Sequence, residues 1–69
     1  MKYVIVVEKS DQNYAAYVPD LPGCVAAAVT KEEVVRLIRE AIELHVQSMR
    51  DDGLEIPEPA ATSEYVEIA

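Results

Sequence analysis

Residues 19–24, with the sequence Pro-Asp-Leu-Pro-Gly-Cys, form the stretch that decides the fold. Proline fixes its own φ and disfavours helix in the residue before it, so Pro19 and Pro22 keep this segment out of a helix. Pro22 and Gly23 suit the two central positions of a type II turn, because the second of these positions requires a positive φ. The sequence therefore predicts a rigid corner, with strands before it and a strand and a helix after it.

Two apolar runs before the corner and one after it are typical of strands. Residues 3–8 are β-branched or aromatic and predict the first strand. The polar residues 10–13 predict a hairpin turn, because Asp and Asn side chains bond their own backbone. Residues 14–18 predict the second strand, with Tyr14, Ala16 and Val18 on one face. Residues 24–28 predict a third strand, whose alanines allow a helix to approach closely.

One long amphipathic helix is expected after the third strand. Thr30 and Glu33 have the spacing of a capping box, in which each residue bonds the other's backbone N–H. Apolar residues between 34 and 49 fill an arc of roughly 200°, whereas a helix on one sheet needs only about 100°. Gly53 suits the left-handed position that closes a helix. The surplus of apolar surface predicts a homodimer or a larger homo-oligomer.

The last apolar run, Glu64–Ile68, predicts a fourth strand after a proline-rich connection at residues 56–59. The expected fold class is α+β, with three antiparallel strands, a returning fourth strand and one long helix packed on the sheet. We interpret residues 1–69 as a single domain. A chain of 69 residues buries only about 60% of the surface that it exposes when unfolded, so its stability should be low.

The composition excludes several classes of function. The formal charge is −7, from 13 acidic and 6 basic residues, which argues against direct binding of nucleic acid and favours a basic protein as partner. Cys24 is the only cysteine, so an intrachain disulfide and a zinc site of paired cysteines are excluded. The apolar run at residues 3–7 is too short for a signal peptide or a membrane span. We therefore expect a cytoplasmic protein with no membrane contact.

The residues that could support catalysis have simpler interpretations. His45 falls within the apolar arc of the helix, without a second His or Cys three or four residues away, so we interpret it as a core or interface histidine. Cys24 is interpreted as a small buried hydrophobe. The acidic pairs at residues 32–33 and 51–52 lie at the helix ends and lack the interleaved oxygen ligands of a calcium loop. The sequence thus predicts no catalytic residue, no metal site and no cofactor.

Several motifs together carry a resemblance to a known family. They are Tyr14-x-x-Tyr17-x-Pro19-Asp20-Leu21-Pro22-Gly23-Cys24, then Thr30-x-Glu32-Glu33, then Glu40-Ala41-Ile42-Glu43-Leu44-His45, and finally Gly53-x-x-Ile56-Pro57-x-Pro59. With these motifs the chain resembles the HicB antitoxin family over nearly its whole length. The resemblance implies a partial ribonuclease-H-like ββαβ fold whose last strand lies beside the first. It also implies the role of an antitoxin, without enzymatic activity, that sterically neutralises HicA, a small basic toxin that cleaves messenger RNA.

Residue roles follow from these interpretations. For the partner surface we predict Tyr17, Asp20, Leu21 and Pro22 at the corner together with Glu40 and Glu43 on the helix. Structural roles are predicted for Pro19, Gly23, Cys24, Thr30, Glu33, His45 and Gly53. We expect no direct nucleic-acid binding and no C-terminal DNA-binding domain of the kind that many HicB antitoxins carry. An alternative stays open, namely an orphan HicB-like structural or regulatory domain that has another protein partner and no toxin.

Overall fold

A three-stranded antiparallel sheet with one long helix on one face forms the fold, in a computed structural model that describes all 69 residues. The strands are β1 (Val6–Lys9), β2 (Tyr14–Tyr17) and β3 (Val25–Ala28), and helix α1 spans Lys31–Asp51. The strand order is β1-β2-β3, so β1 and β3 are the two edges of the sheet. The α+β class, the three strands and the helix that the sequence predicts are confirmed.

Strand β1 begins three residues later than predicted. Val6 pairs with Tyr17 in the β1–β2 ladder, so a longer ladder would place Val4 opposite Pro19. Pro19 has no N–H to donate, and the chain turns away at this point into the corner. Pairing therefore stops at Val6, and Tyr3 instead packs against the edge of the core.

The corner has the predicted type II turn. The backbone N–H of Cys24 donates to the carbonyl oxygen of Leu21 at 3.1 Å, and Gly23 has a φ of 85°. A second turn precedes it, closed by a bond from the N–H of Leu21 to the carbonyl of Val18 at 3.1 Å. The N–H of Val18 also donates to the carbonyl of Cys24 at 3.2 Å, which closes the whole loop at its base. The corner is thus fixed by three backbone hydrogen bonds.

Both ends of α1 are capped, although the predicted capping box is only half formed. The Thr30 hydroxyl accepts a hydrogen bond from the N–H of Glu33 at 3.1 Å. The Glu33 carboxylate does not return the bond and lies 3.7 Å from Arg36 instead. At the other end, Gly53 has a φ of 70°, and the N–H of Leu54 donates to the carbonyl of Met49 at 2.9 Å. This is the Schellman closure that the glycine predicts.

The core lies between α1 and one face of the sheet. It contains seven buried residues: Ala16, Val18, Leu21, Cys24, Val34, Ile38 and Val46. Ala16 and Val18 confirm which face of the second strand points inward, while Tyr17 lies on the opposite face and is exposed. Because so few side chains are fully buried, hydrophobic stabilisation of this chain is small.

The predicted fourth strand is not formed. Residues 64–68 have no strand pairing, and Tyr65, Val66 and Ile68 are 103%, 78% and 83% exposed. The segment lies outside the packed body, and accordingly the radius of gyration of 13.5 Å exceeds the value of about 11 Å that is typical of a compact chain of this length. The apolar pattern is correct for a strand, but an edge strand needs a partner to complete its backbone hydrogen bonds.

Candidate functional site

The corner presents only part of the surface that the sequence predicts. Pro22 is exposed at the tip of the turn, and Tyr17 is 42% exposed on the sheet face away from the helix. Leu21, in contrast, is 1% exposed and packs in the core. The prediction of Leu21 as a partner-contacting residue is therefore wrong, because the two turns direct its side chain beneath the corner rather than away from it.

Asp20 connects the corner to the C-terminal segment. Its Oδ2 atom accepts hydrogen bonds from the backbone N–H groups of Ala60 and Ala61, both at 3.1 Å. The hydroxyl of Tyr3 donates to the carbonyl oxygen of Pro57 in the same segment. Asp20 is half-buried, so this carboxylate has a clear structural role in the free chain. Its role as a partner contact stays a prediction.

An apolar sheet surface surrounds Tyr17. The strand register sets Val6, Tyr17 and Val25 side by side, and the neighbouring row consists of Glu8, Ala15 and Ala27. We call these six residues the outer sheet face. Val25 is 64% exposed, and Glu8 is the one charged residue of the six. No element of the chain covers this face, because α1 packs on the other side of the sheet.

The predicted acidic helix residues do not join the corner residues in one site. Glu40 is exposed and lies 3.3 Å from Arg36 in an i,i+4 ion pair. Glu43 is exposed beside Arg39 at the flank of the helix. Glu40 thus lies on the outer side of α1, whereas Glu43 shares a cavity wall with Tyr3 and Ile5 near the start of β1. The predicted partner surface therefore divides into two separate regions.

Cys24 and His45 both lie in or near the core. Cys24 is buried, and burial raises the pKa of its thiol above the ordinary value. A neutral, inaccessible thiol is a poor nucleophile. His45 is half-buried and has no side-chain hydrogen bond or ion pair. No three side chains of His, Cys, Asp and Glu converge in a way that could hold a metal ion.

A groove that sequence reasoning missed runs between β1 and α1. It consists of three cavities of about 380, 430 and 340 Å³, of which the first shares Ile5 with the second and shares Tyr3 and Ile42 with the third. Its floor is apolar, while its rim carries four cations: Lys9, Lys31, Arg39 and Arg50. We call this feature the β1–α1 groove. Arg39 and Arg50 are eleven residues apart, which is about three helical turns, and this spacing is the signal that places them on one side of α1.

No helix is long and apolar enough to cross a membrane.

Comparison with known proteins identifies the family. Residues 3–68 match the model of the HicB-like antitoxin of bacterial toxin-antitoxin systems. The chain belongs to the HicB-like antitoxin family. This membership confirms the resemblance carried by the corner and helix motifs.

The curated relatives of this HicB-like chain include a phage protein and a bacterial protein. An uncharacterised 14.9 kDa protein of Haemophilus phage HP1 is 36% identical over 66 residues, which are 96% of this chain and 50% of the phage protein. The chain thus spans about half the length of that relative. A UPF0150 protein of Helicobacter pylori is 45% identical over 49 residues, which cover 71% of this chain and 68% of the relative.

A solved HicA3 and HicB3 toxin-antitoxin complex contains a chain of the same fold. The TM-score is 0.72 at 27% sequence identity, and the match covers 87% of this chain and 70% of the solved one. A match over 87% of the chain extends well beyond the 21 residues of α1 and therefore includes strands of the sheet.

Proposed function

We propose that this chain is an antitoxin that binds a small basic HicA-type toxin and neutralises its mRNA cleavage by covering the toxin's RNA-binding surface. The observation that carries the proposal is the family membership together with the fold match to a HicA3 and HicB3 complex. The charge of −7 supports it, because opposite net charges accelerate the encounter of two proteins and favour the correct orientation.

The outer sheet face is the contact surface in this proposal. Its row of Val6, Tyr17 and Val25 is uncovered, and tyrosine is enriched among the residues that dominate binding energy at interfaces. Pro22, exposed at the neighbouring corner, extends the same region. Asp20 acts indirectly, by holding the C-terminal segment at the edge of this surface.

The acidic residues of α1 contribute from a distance rather than by contact. Both residues belong to α1, which packs on the inner face of the sheet, so we place neither of them in contact with a toxin on the outer sheet face. They add to the net charge of −7, which attracts a basic protein most strongly at low salt, because salt screens charges more than about 8 Å apart at physiological ionic strength. In this proposal, Tyr17 mainly determines how slowly the complex dissociates, and Glu40 mainly affects how fast it forms.

Homo-oligomerisation is also part of the proposal. The chain exposes large apolar side chains on α1, on the sheet and in the C-terminal segment, among them Leu44 at 73%. Association of copies is a common way for small domains to cover such surface.

The decisive experiment begins with a tagged pull-down from the native host and mass spectrometry of the co-eluting proteins. We expect a small basic protein of HicA type in near-stoichiometric amount. The purified protein should cleave messenger RNA, and an equimolar amount of this chain should stop the cleavage. Undiminished cleavage in the presence of excess chain would contradict the proposal. Recovery of a different protein as the specific partner would favour the orphan alternative.

Variants then test the assigned surface. Tyr17→Ala should weaken toxin binding by about 10- to 100-fold, mainly through faster dissociation. Leu44→Ala is the matched control, because it removes an exposed apolar side chain from the opposite side of the molecule. Glu40→Lys should lower the association rate and its dependence on salt, with little effect on dissociation. If Tyr17→Ala and Leu44→Ala reduce toxin affinity by the same factor, the outer sheet face is not the contact surface.

A further inference from the structure

Glu8 is an isolated carboxylate on the outer sheet face. It is exposed, and the other five residues of this face are uncharged. Both ion pairs of the chain involve Arg36 on the helix, so Glu8 has no cationic partner. Lys9, its neighbour in sequence, points to the inner side of the sheet, where its Nζ atom lies 6.0 Å from the centroid of the Tyr14 ring. The chain therefore leaves this negative charge uncompensated.

A small and an aromatic side chain adjoin this carboxylate. Glu8 is directly opposite Ala15 in the β1–β2 ladder, and Tyr17 is two residues further along β2 on the same face. Tyr17 is thus the diagonal neighbour of Glu8, at the separation of about 7–8 Å that is typical of such pairs. Ala15 places only a methyl group beside them, and Ala27 of β3 continues this low floor. Glu8, Ala15 and Tyr17 therefore border a shallow depression, which we call the Glu8–Tyr17 recess.

Covering the recess has a consequence for the partner. A protein bound over Tyr17 also covers Glu8, because the two residues are neighbours on a face only three strands wide. A carboxylate that loses its water without gaining a partner strongly opposes binding. Paired with a cation, the same carboxylate favours the complex and fixes its orientation. A toxin on the outer sheet face therefore has to place a cation at Glu8.

Arginine suits the recess better than lysine. Its planar guanidinium donates two parallel hydrogen bonds to one carboxylate, and its flat face stacks on an aromatic ring. Glu8 supplies the carboxylate, and Tyr17 supplies the ring on the same face of the sheet. Ala15 leaves the space between them free for the incoming side chain. A lysine ammonium would bond the carboxylate as a point charge and would make less use of the ring.

We propose that the Glu8–Tyr17 recess binds an arginine side chain of the basic toxin, whose guanidinium donates to the Glu8 carboxylate and stacks on the Tyr17 ring above Ala15. The inference rests on the proposed function, since it takes the outer sheet face as the contact surface. It adds the chemistry of the partner at this surface and a role for Glu8 in selecting that partner.

Neutralising Glu8 tests the role of the carboxylate. Glu8→Gln keeps the size of the side chain and removes its charge, and because Glu8 is exposed and outside the core, the variant should fold like the wild type by circular dichroism. With the toxin recovered in the tagged pull-down, its dissociation constant should be raised by about tenfold or more, mainly through faster dissociation, because an arginine would be left buried without its partner.

Glu43→Gln is the matched control for net charge. It makes the same change from −7 to −6, but Glu43 is exposed at the flank of α1 and not on the outer sheet face. This variant should slow association slightly at low salt and leave the dissociation rate unchanged. If Glu8→Gln and Glu43→Gln change both rates by the same factors, Glu8 acts only through the net charge and the recess binds no arginine.

Substitutions in the toxin identify the group that enters the recess. Each arginine and lysine of the toxin is replaced in turn by methionine, and the affinity of every variant is measured with the wild-type chain and with Glu8→Gln. At one arginine, Glu8→Gln should cause no further loss, because the interaction that it removes is already absent. A loss of about tenfold that persists at every arginine would overturn the proposal, and so would coupling to a lysine instead.

The same measurements separate this inference from the proposed function. If the wild-type chain neither binds the recovered protein nor stops its cleavage of messenger RNA, the proposed function itself is wrong. If the wild-type chain binds and inhibits, and Glu8→Gln does so with the same dissociation rate, the antitoxin role stands and only the arginine recess is wrong.

Discussion

The carboxylate of Asp20 accepts a hydrogen bond from the backbone N–H of Ala61, which lies 41 residues further along the chain. Together with the second bond, to Ala60, this contact holds the C-terminal segment against the corner. Asp20→Ala removes both bonds and should lower the free energy of unfolding by about 1–2 kcal/mol, since hydrogen bonds to charged groups are stronger than neutral ones. Urea unfolding measures this loss.

Hydrogen exchange shows whether the loss has this local cause. The amides of Ala60 and Ala61 should exchange faster in Asp20→Ala, while amides in the middle of α1 change only with global stability. Asp11→Ala is a suitable control, because Asp11 is exposed in the β1–β2 turn and makes no side-chain hydrogen bond. If Asp11→Ala has the same effect as Asp20→Ala, the contact with the segment does not stabilise the chain.

Tyr3 should make stability depend on pH in the alkaline range. Burial raises the pKa of its phenol above the ordinary value of 10.0, and Glu58 and Asp20 add to the rise while Arg50 opposes it. The folded state therefore holds the proton more tightly than the unfolded state. The resulting stabilisation is complete below pH 10 and is lost as the pH rises through the higher pKa of the folded chain.

Tyr3→Phe isolates this effect. The variant loses the hydrogen bond to Pro57, so it should be less stable than the wild type at neutral pH, and the alkaline loss of stability attributed to Tyr3 should disappear. Phenolate absorbance measures the titration directly. One component that titrates above 10.0 in the folded wild type should be absent from the variant, and its persistence would assign the raised pKa to another tyrosine.

Local backbone chemistry is the part of this fold that the sequence specifies most completely. Pro22 and Gly23 permit few conformations, so the type II turn could be predicted, and the structure has it at a φ of 85°. Thr30 and Gly53 likewise fix the ends of α1. In each case the determining interactions lie within a few residues, which is why no tertiary information was needed.

Interactions over longer distances could not be predicted in the same way. The pattern of Glu64–Ile68 is that of a strand, but pairing depends on a free edge that no local rule describes. Leu21 belongs to a motif that suggests an exposed corner, yet its burial follows from two consecutive turns acting together. The β1–α1 groove was missed because its cations come from separate elements: Lys9 from β1 and the other three from α1.

Cys24 should be protected from alkylation in the folded chain. Its side chain is buried in the core, and burial raises the pKa of the thiol, so the reactive thiolate is scarce at neutral pH. Iodoacetamide should label the native protein at least about tenfold more slowly than the urea-unfolded protein, with the native rate set by opening of the structure. Equal labelling rates would mean that the corner opens freely.

Loss of a single methyl group from the inward face of α1 should measurably lower the free energy of unfolding. Ile38 is 1% exposed between the helix and the sheet, so Ile38→Val leaves a small cavity and should lower the free energy of unfolding by about 0.5–1.5 kcal/mol. Val35, three positions earlier, is 36% exposed at the helix flank. Val35→Ala should therefore lower the free energy of unfolding by less than Ile38→Val, although it removes more atoms. Thermal unfolding compares the two variants. The reverse order would mean that α1 is rotated relative to the sheet.

Substitution of Gly23 tests the type II turn, because at this position the backbone strain of a new side chain can be separated from steric clash. A Cβ atom at this position would meet no heavy atom within 4 Å, so the cost of a substitution comes from the positive φ alone. Gly23→Val should lower the free energy of unfolding by about 1–3 kcal/mol, which in a domain of this size shifts the melting temperature by about 4–8 °C per kcal/mol. Gly23→Asn should cost less, because asparagine tolerates the left-handed region better than β-branched residues. Equal melting temperatures for Gly23→Val and the wild type would rule out the type II turn as the element that fixes the corner.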